Sequence, residues 1–233
     1  LYEPKLKLFS TINMSMGEGI AQLLSSQILF SNYQQQQTLL TQAEIKLLHA
    51  QVNPHFLFNA LNTISAVTRR EPDKARELIQ HLSHFFRSNL KQNINTVKLK
   101  DELAHVNAYL TIEKARFTDR LEVKWDIDPQ LYESQLPSFT LQPLVENAIK
   151  HGISHMLEGG KVRIYSQAFE GGFKLNVEDN AGNYQQPSQD HVGLGMEIVD
   201  KRLTNFFGQD SALKIESQPQ QFTRMSFIIP ILK

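Results

Sequence analysis

The stretch Gln51-Val52-Asn53-Pro54-His55-Phe56-Leu57-Phe58-Asn59 lies within a long helical pattern and places a proline beside a histidine. Around it, apolar or small residues recur at the spacing of a coiled coil. One seam position holds Leu40, Leu47, Pro54 and Leu61, and the other holds Ala43, Ala50, Leu57 and Ile64. This pattern predicts a bundle helix that runs from about residue 39 to about residue 70.

Pro54 is expected to bend this helix, because an interior proline removes a backbone hydrogen bond at a cost of about 3 kcal/mol. Such a bend would present His55, one residue from the seam, at the flank of the bundle. A solvent-accessible neutral imidazole is a nucleophile towards phosphoryl groups. The alternative is that His55 is only a packed or capping residue. The second half of the chain helps to decide between these two interpretations.

The composition excludes several kinds of site. The 233 residues include 24 Lys plus Arg and 24 Asp plus Glu, so no basic field suggests direct binding of nucleic acid. The chain has no cysteine, which excludes disulfides, thiolate metal sites and a cysteine nucleophile. No apolar run approaches the roughly 18 to 20 residues of a membrane span. His81 and His84 share a helical face, but no further ligand completes a metal set.

The first half of the chain is predicted to be helical. Residues 1–30 are typical of the end of another domain, and residues 31–50, with a glutamine run, of an exposed helical linker. Apolar spacing predicts helices at 72–90 and 100–117. A hairpin of two long apolar helices needs a second copy, so we expect a homodimeric four-helix bundle. Because the chain begins at Leu1, we expect it to be a fragment or a processed form.

From residue 118 onwards, strands alternate with helices. Alternating or apolar runs predict strands at 121–127, 162–168, 173–179, 213–215 and 225–231, and helices at 144–151 and 193–207. Gly152 is expected to cap the first of these helices. The polar residues 180–192 are a candidate lid. The fold class is therefore predicted to be α+β, a helical region followed by an α/β sandwich.

The predicted helix at 144–151 carries groups that suit a bound nucleotide. Glu146 and Asn147 lie one turn before Lys150 and His151. A Glu or Asn oxygen is a suitable ligand for Mg²⁺, which takes one or two protein oxygens and completes its shell with phosphate and water. Lys150 or His151 would face the phosphate charge.

Two glycine-containing motifs follow. Asp179 ends a strand and offers a carboxylate to an exocyclic amine, with Gly182 allowing close approach. Gly193-Leu194-Gly195 precedes a helix whose free N–H groups suit a polyphosphate. Each motif alone is common in proteins without a ligand. Their order, with strands and a lid between them, predicts an ATP site, which in turn favours a nucleophilic role for His55.

Together these residues resemble the LytS-type sensor histidine kinases of two-component systems over nearly the whole chain. The stretch 51–59 is similar to the phosphoacceptor signature, which implies phosphorylation of His55. Residues 142–148 resemble the N box, whose asparagine, here Asn147, binds magnesium. Residues 177–182 and 193–196 resemble the glycine boxes, which implies that Asp179 contacts the adenine amino group and that the second box meets the triphosphate. The run from Tyr109 to Phe117 also resembles a hallmark of the group, although the resemblance implies no chemical role for it.

The resemblance implies the following organisation. Residues 51–117 would form the dimerisation and phosphoacceptor region, and residues 118–233 a Bergerat-type domain that binds ATP and Mg²⁺. Residues 31–50 would be the signalling linker and residues 1–30 the tail of a GAF-type sensor domain. Membrane spans upstream would make this chain the cytoplasmic portion of an inner (plasma) membrane protein. The first residues and the linker are most similar to the pyruvate-sensing members, which act with a LytTR-type response regulator.

Two departures from the commoner histidine kinases stand out. Phe56 follows His55 where those kinases have an acid that acts as base, so the general base is unassigned. Ala181 and Asn183 replace glycines of the first glycine box. The expected function is ATP-dependent autophosphorylation of His55 and transfer to a regulator aspartate. The alternatives are a dimeric ATP-responsive scaffold and an ATPase in which Glu146 orients water.

Overall fold

The computed structural model describes residues 54–90, 96–157, 159–184 and 194–230, together with Gln27 and Phe30. Those from Pro54 onwards belong to one compact unit. The predicted linker, nearly all of the predicted sensor tail, most of the predicted lid and Gly193 lie outside the described residues. Within the described ranges, no helix combines the length and the apolar character that crossing a bilayer requires.

Two helices joined by a short turn open the described part of the chain. Helix α1 spans Pro54–Val67 and helix α2 spans Pro72–Leu90. Pro72 begins its helix, as predicted, because a proline in the first turn sacrifices no helical hydrogen bond. Pro54 is also the first residue of its described helix, so the bend predicted there depends on residues that the structure does not describe. Helix α1 buries Phe56, Ala60 and Ile64, which recur every fourth residue.

Helix α3 connects the hairpin to the rest of the unit. A short strand, β1 (Thr96–Lys98), leads directly into α3 (Leu99–Phe117), and β1 pairs antiparallel with β3 (Gln135–Pro137). Ten residues of α3 are buried, because it packs on both α1 and α2 and on the helix that follows β3. Strand β1 lies before residue 117 and β3 lies after residue 118, so their pairing connects the two regions that the sequence analysis separated at this point.

A mixed five-stranded sheet forms the second layer. Its strands are β2 (Leu121–Asp126), β4 (Gly160–Phe169), β5 (Gly172–Asp179), β6 (Lys214–Gln218) and β7 (Phe222–Pro230), in the spatial order β2-β4-β5-β7-β6. Only β2 and β4 are parallel; the other neighbours are antiparallel. The predicted strands are confirmed, and the α+β class with them. One face of the sheet is apolar and buried, with Ile164, Leu175, Val177 and Phe227 on it.

Helix α4 (Leu141–Asn147) and helix α5 (Leu194–Phe207) both belong to the same hydrophobic core as that apolar face. The predicted helix at 144–151 begins three residues earlier and changes form at its end: α4 passes into a π-helical turn over Ala148–Gly152. The prediction that Gly152 caps a helix was wrong. Its φ of −85° is not left-handed, and Ile153 continues the chain in a helical conformation. A glycine is required at this position by its close contact with the side chain of Asp179.

Candidate functional site

His55 is exposed on α1, whereas the next residue, Phe56, is buried. Nδ2 of Asn59, one turn further on, lies 3.3 Å from each ring nitrogen of His55, so the amide donates to whichever nitrogen lacks a proton. Phe56 is only 3% exposed, and its ring lies 4.9 Å from the rings of both Phe85 and Tyr109. The buried phenylalanine thus anchors the first turn of α1 while the imidazole remains in solvent.

Asp179 ends β5 in a buried position. Its Oδ1 accepts a 2.9 Å hydrogen bond from the N–H of Ala181. Burial raises the pKa of the Asp179 carboxyl to about 6, against backbone N–H groups that favour the ionised form. A Cβ atom at Gly152 would lie 2.8 Å from the carboxylate carbon. The absence of a side chain at Gly152 is therefore what lets the π-helical turn pack against this carboxylate.

Asn147 and Glu146 are adjacent in sequence but have different partners. Nδ2 of Asn147 lies 3.7 Å from Sδ of Met225 on β7, and among the described residues its Oδ1 has no hydrogen-bond partner. Oε1 of Glu146 accepts a 2.6 Å bond from Nε2 of Gln142, and burial raises the pKa of the Glu146 carboxyl. Asn147 is thus beside the sheet, whereas Glu146 is tied back along its own helix.

Lys150 and His151 are both exposed in the π-helical turn. Burial and the charges of Lys150 and His155 together lower the pKa of His151. The turn therefore exposes the two side chains for which the sequence predicted a phosphate-facing role, Lys150 and His151.

The glycines of the two predicted glycine boxes are constrained differently. Gly182 has a φ of 61°, and a Cβ atom there would overlap the backbone at Gln218, so the fold itself requires this glycine. Gly195 is exposed at the start of α5, and a Cβ atom there would meet nothing within 4 Å. Gly193 and the side chain of Leu194 lie outside the described residues.

The run from Tyr109 to Phe117 acquires a structural role. Tyr109 is buried against Phe56, and Glu113 is 2% exposed with Nη2 of Arg116 2.8 Å from its Oε2. The two residues are three apart on one helix, a spacing at which opposite charges can pair. Burial raises the pKa of the Glu113 carboxyl to about 7, with Arg116 opposing the rise and Glu146 adding to it.

The entrance to α4 is held by a buried carboxylate that the sequence did not single out for this role. Glu102 on α3 accepts hydrogen bonds from the N–H groups of Phe139 and Leu141, the latter at 3.0 Å. Phe139 has a left-handed φ of 58°, which costs a non-glycine residue free energy. Nη1 of Arg202 on α5 donates to the carbonyl of Ser138 at 3.1 Å. Glu102 lies in the first turn of α3, where a carboxylate also interacts favourably with the helix dipole.

The donor chemistry at Asn147 fits a magnesium ion. Nowhere in the described ranges do three or more His, Asp and Glu side chains converge as a metal site. Such a cluster is not needed, because Mg²⁺ bound to nucleotide phosphates takes only one or two oxygens from the protein. Oδ1 of Asn147, which no described residue hydrogen-bonds, can supply one, whereas Glu146 is engaged with Gln142.

Comparison with known proteins agrees with this arrangement. A family model described as histidine kinase matches residues 43–121. The sensor histidine kinase BtsS of Escherichia coli (strain K12) is 56% identical over 230 residues, which cover 99% of this chain and 41% of BtsS. The sensor protein LytS of Bacillus subtilis (strain 168) is 38% identical over 234 residues, covering 95% of this chain and 40% of LytS.

The chain therefore spans about two fifths of the length of these curated relatives. Its helices, followed by a mixed sheet with α4 and α5 in one core, are consistent with the Bergerat-type sandwich that the resemblance implied. Similarity of this extent, together with the matching family model, makes the chain a homologue of the LytS-type sensor histidine kinases over nearly its whole length.

Proposed function

We propose that this chain is the kinase portion of a two-component sensor, which transfers the γ-phosphoryl group of ATP to His55 and then to an aspartate of a response regulator. The observation that carries the proposal is the contrast between His55 and its neighbour. The imidazole of His55 is exposed, whereas Phe56 is buried and anchors this turn to the compact unit that also contains Asp179 and Asn147. A histidine that served only packing would itself be buried.

The predicted ATP-site residues other than Gly182 each have a proposed role. The Asp179 carboxylate accepts a hydrogen bond from the adenine amino group, and Lys150 and His151 face the phosphates. The backbone of Gly195, with Gly193 and Leu194 before it, meets the triphosphate at the start of α5, where free N–H groups favour anions. Oδ1 of Asn147 is the proposed magnesium ligand. Bound Mg²⁺ would neutralise phosphate charge as the terminal phosphoryl group is transferred.

The transfer step needs little from the protein beyond positioning. The unprotonated ring nitrogen of His55 forms a bond to the γ-phosphorus as the bond to the β–γ bridging oxygen breaks and ADP leaves. The other ring nitrogen then gives up its proton. Asn59 cannot take this proton, because its amide is not a base at neutral pH, so its role is to hold the ring.

A homodimer is the proposed assembly. Phe58, Leu61 and Ile79 are 67%, 49% and 51% exposed on α1 and α2, which is costly for large apolar side chains in a monomer. Of the predicted seam residues, Leu61 is exposed whereas Ile64 is buried in the core of its own chain. We therefore propose that the four-helix bundle forms around Phe58, Leu61 and Ile79.

The β1–β3 ladder supports a different boundary inside the chain. We propose that the ATP-binding region begins with β1 at residue 96, and that α3 belongs to it while packing on the phosphoacceptor hairpin. Residues 1–30 and 31–50 keep their proposed roles as sensor tail and signalling linker.

For the whole protein, we propose membrane attachment through upstream segments, with this chain on the cytoplasmic side. The stimulus is proposed to be pyruvate and the partner a LytTR-type regulator, because the likeness to the pyruvate-sensing LytS-type members extends through the first residues and the linker. Neither role involves a residue of the described site.

The test is labelling with ATP carrying a labelled γ-phosphate, in the presence of Mg²⁺. Wild type should acquire base-stable, acid-labile label that His55→Gln and Asn147→Ala both lose, and the control His81→Gln, on α2, should keep it. ATP binding without label, in this chain and in the full-length protein, would overturn the kinase and leave the scaffold. Phosphate release that survives His55→Gln would indicate the ATPase.

A further inference from the structure

Gln142 joins two side chains that belong to different helices. Its Oε1 lies 2.6 Å from Nε2 of His105 on α3, and its Nε2 donates to Oε1 of Glu146 at 2.6 Å. An amide oxygen can only accept, so the hydrogen bond at Oε1 of Gln142 is donated by the ring. His105 therefore carries its proton on Nε2 and donates it to Gln142. The three side chains form a continuous polar chain, named here the His105–Gln142–Glu146 chain.

Histidine is an unexpected choice at position 105 if packing is its only role. The ring is 4% exposed, stacks on Phe85 at 4.8 Å and meets Phe139 edge-on at 5.6 Å. Its Nδ1 is buried and has no hydrogen-bond partner within the described ranges. Phenylalanine would make the same ring contacts without burying an unpaired nitrogen, which is unfavourable. What histidine adds is the Nε2–H bond to Gln142.

Helix α4 depends on α3 for its orientation. It has seven residues, too few for a helix that is stable by itself. Glu102 on α3 binds the backbone at Phe139 and Leu141, and the His105–Gln142–Glu146 chain reaches its last turn. Polar contacts from α3 thus hold the first turn of α4, and the bond from Gln142 to Glu146 extends that connection along α4 to its last turn.

Asn147 follows Glu146 directly, at the point where α4 changes into the π-helical turn. The bond between His105 on α3 and Gln142 fixes the rotation of α4 about its axis, and the bond between Gln142 and Glu146 holds the last turn to the same arrangement. That rotation determines where the neighbouring Asn147 points, which is towards Met225 on the sheet.

We propose that His105 and Gln142 are positioning residues for the magnesium ligand Asn147. The proposal rests on the function proposed above, since it assigns the metal to Asn147. Groups that hydrogen-bond behind a metal ligand orient it, and their removal typically costs about 10- to 100-fold in metal affinity or activity. Neither residue touches the nucleotide; each acts through Glu146 and the backbone that joins it to Asn147.

The test separates magnesium dependence from nucleotide binding. ATP affinity is measured over a series of Mg²⁺ concentrations and in EDTA, for wild type, His105→Phe, Gln142→Met and the matched control His81→Phe. His105→Phe keeps the ring contacts with Phe85, and Gln142→Met keeps the side-chain length. Both should raise the Mg²⁺ concentration that half-maximally strengthens ATP binding by roughly tenfold, and leave the affinity in EDTA within about twofold of wild type.

Two results would overturn the proposal. One is an unchanged Mg²⁺ requirement in both variants, provided thermal denaturation shows them folded. The other is an equal loss of affinity with and without Mg²⁺, which would indicate a general disturbance of the site. The double variant should be no worse than Gln142→Met alone, because both substitutions break the same chain.

Asn147→Ala distinguishes failure of this inference from failure of the proposed function. If Asn147→Ala removes the effect of Mg²⁺ while His105→Phe and Gln142→Met do not, only the positioning role is wrong. If wild type shows no effect of Mg²⁺, or Asn147→Ala leaves it intact, the metal assignment fails and the positioning role fails with it.

Discussion

The carboxylate of Asp179 lies directly against the backbone of Gly152, where a Cβ atom would stand 2.8 Å from the carboxylate carbon and 2.9 Å from Oδ1. The two residues come from different elements, the end of β5 and the end of the π-helical turn. The proposed adenine acceptor and the segment that follows the proposed magnesium ligand are therefore in contact. A substitution at either residue should therefore displace the other.

Gly152→Ala should damage both stability and ATP binding. The new methyl group must displace the Asp179 carboxylate or the turn, and overpacking of this kind costs about 1–3 kcal/mol. Thermal denaturation should show the lower stability, and titration with ATP should show weaker binding because Asp179 no longer stands where the adenine amino group meets it.

Gly195→Ala is the matched comparison, because nothing in the described part of the chain lies within 4 Å of a Cβ atom there. Its stability should equal or slightly exceed that of wild type, since alanine is the better helix former. ATP affinity should still fall, because the added methyl group obstructs the phosphates rather than the protein. A stability loss as large as that of Gly152→Ala would contradict this distinction.

Asp179→Asn should weaken ATP binding and increase stability at neutral pH. The pKa of the Asp179 carboxyl rises from its ordinary 3.8 to about 6, chiefly through burial, so the folded protein holds an unfavourable charge at pH 7. Asparagine removes that charge and keeps an oxygen for the N–H of Ala181. At about 1.4 kcal/mol per pKa unit, the gain should be at most about 3 kcal/mol.

The stability difference between Asp179→Asn and wild type should grow as the pH rises. A carboxyl with a raised pKa in the folded state contributes most to stability below its ordinary pKa, and that contribution is lost as the pH rises to about 6. The advantage of Asp179→Asn should therefore be absent near pH 3.5 and complete above about pH 7. ATP affinity of wild type should fall as the pH drops through about 6, because a protonated oxygen no longer accepts from the adenine amine. Equal denaturation midpoints at all pH values would argue against a raised pKa.

Much of the fold could be predicted because its signals are local. The start of α2 follows from Pro72, and the alternation of apolar residues in β2, β4 and β5 predicts their positions. The phosphoacceptor candidate and both nucleotide motifs likewise consist of short stretches of sequence. The ion pair of Glu113 with Arg116 follows from a spacing of three on one helix.

The parts that could not be predicted depend on contacts between distant positions. Glu102 and His105 find their partners 37 to 39 residues away, and neither sequence neighbourhood indicates a buried polar contact. Gly152 was interpreted as a helix cap because a cap is the usual local reason for such a glycine. Its actual constraint is Asp179, which lies on another element.

Leu61→Asp should weaken the homodimer. Leu61 is 49% exposed and belongs, with Phe58 and Ile79, to the proposed contact between protomers, so a charge there would be buried without a partner. Sedimentation velocity over a concentration series should show a dissociation constant at least tenfold higher, which corresponds to about 1.4 kcal/mol. Phe169→Asp provides the control, since Phe169 is similarly exposed, at 46%, but lies on the sheet. Equal weakening by both substitutions would mean that the contact between protomers is not on α1.

Asn59→Ala should slow phosphorylation of His55 without changing ATP affinity. The Asn59 amide lies 3.3 Å from each ring nitrogen, so its loss frees the imidazole to rotate away from the in-line geometry. We expect a decrease of about tenfold in the rate of label incorporation at saturating ATP, because orientation of the reacting group is a large part of such catalysis. Asn62→Ala, an exposed asparagine on the same helix, should react at the wild-type rate. If Asn59→Ala instead matched wild type while both proteins bound ATP equally, the ring would need no holding, and the side chain of His55 would already be oriented by the anchoring of Phe56 alone.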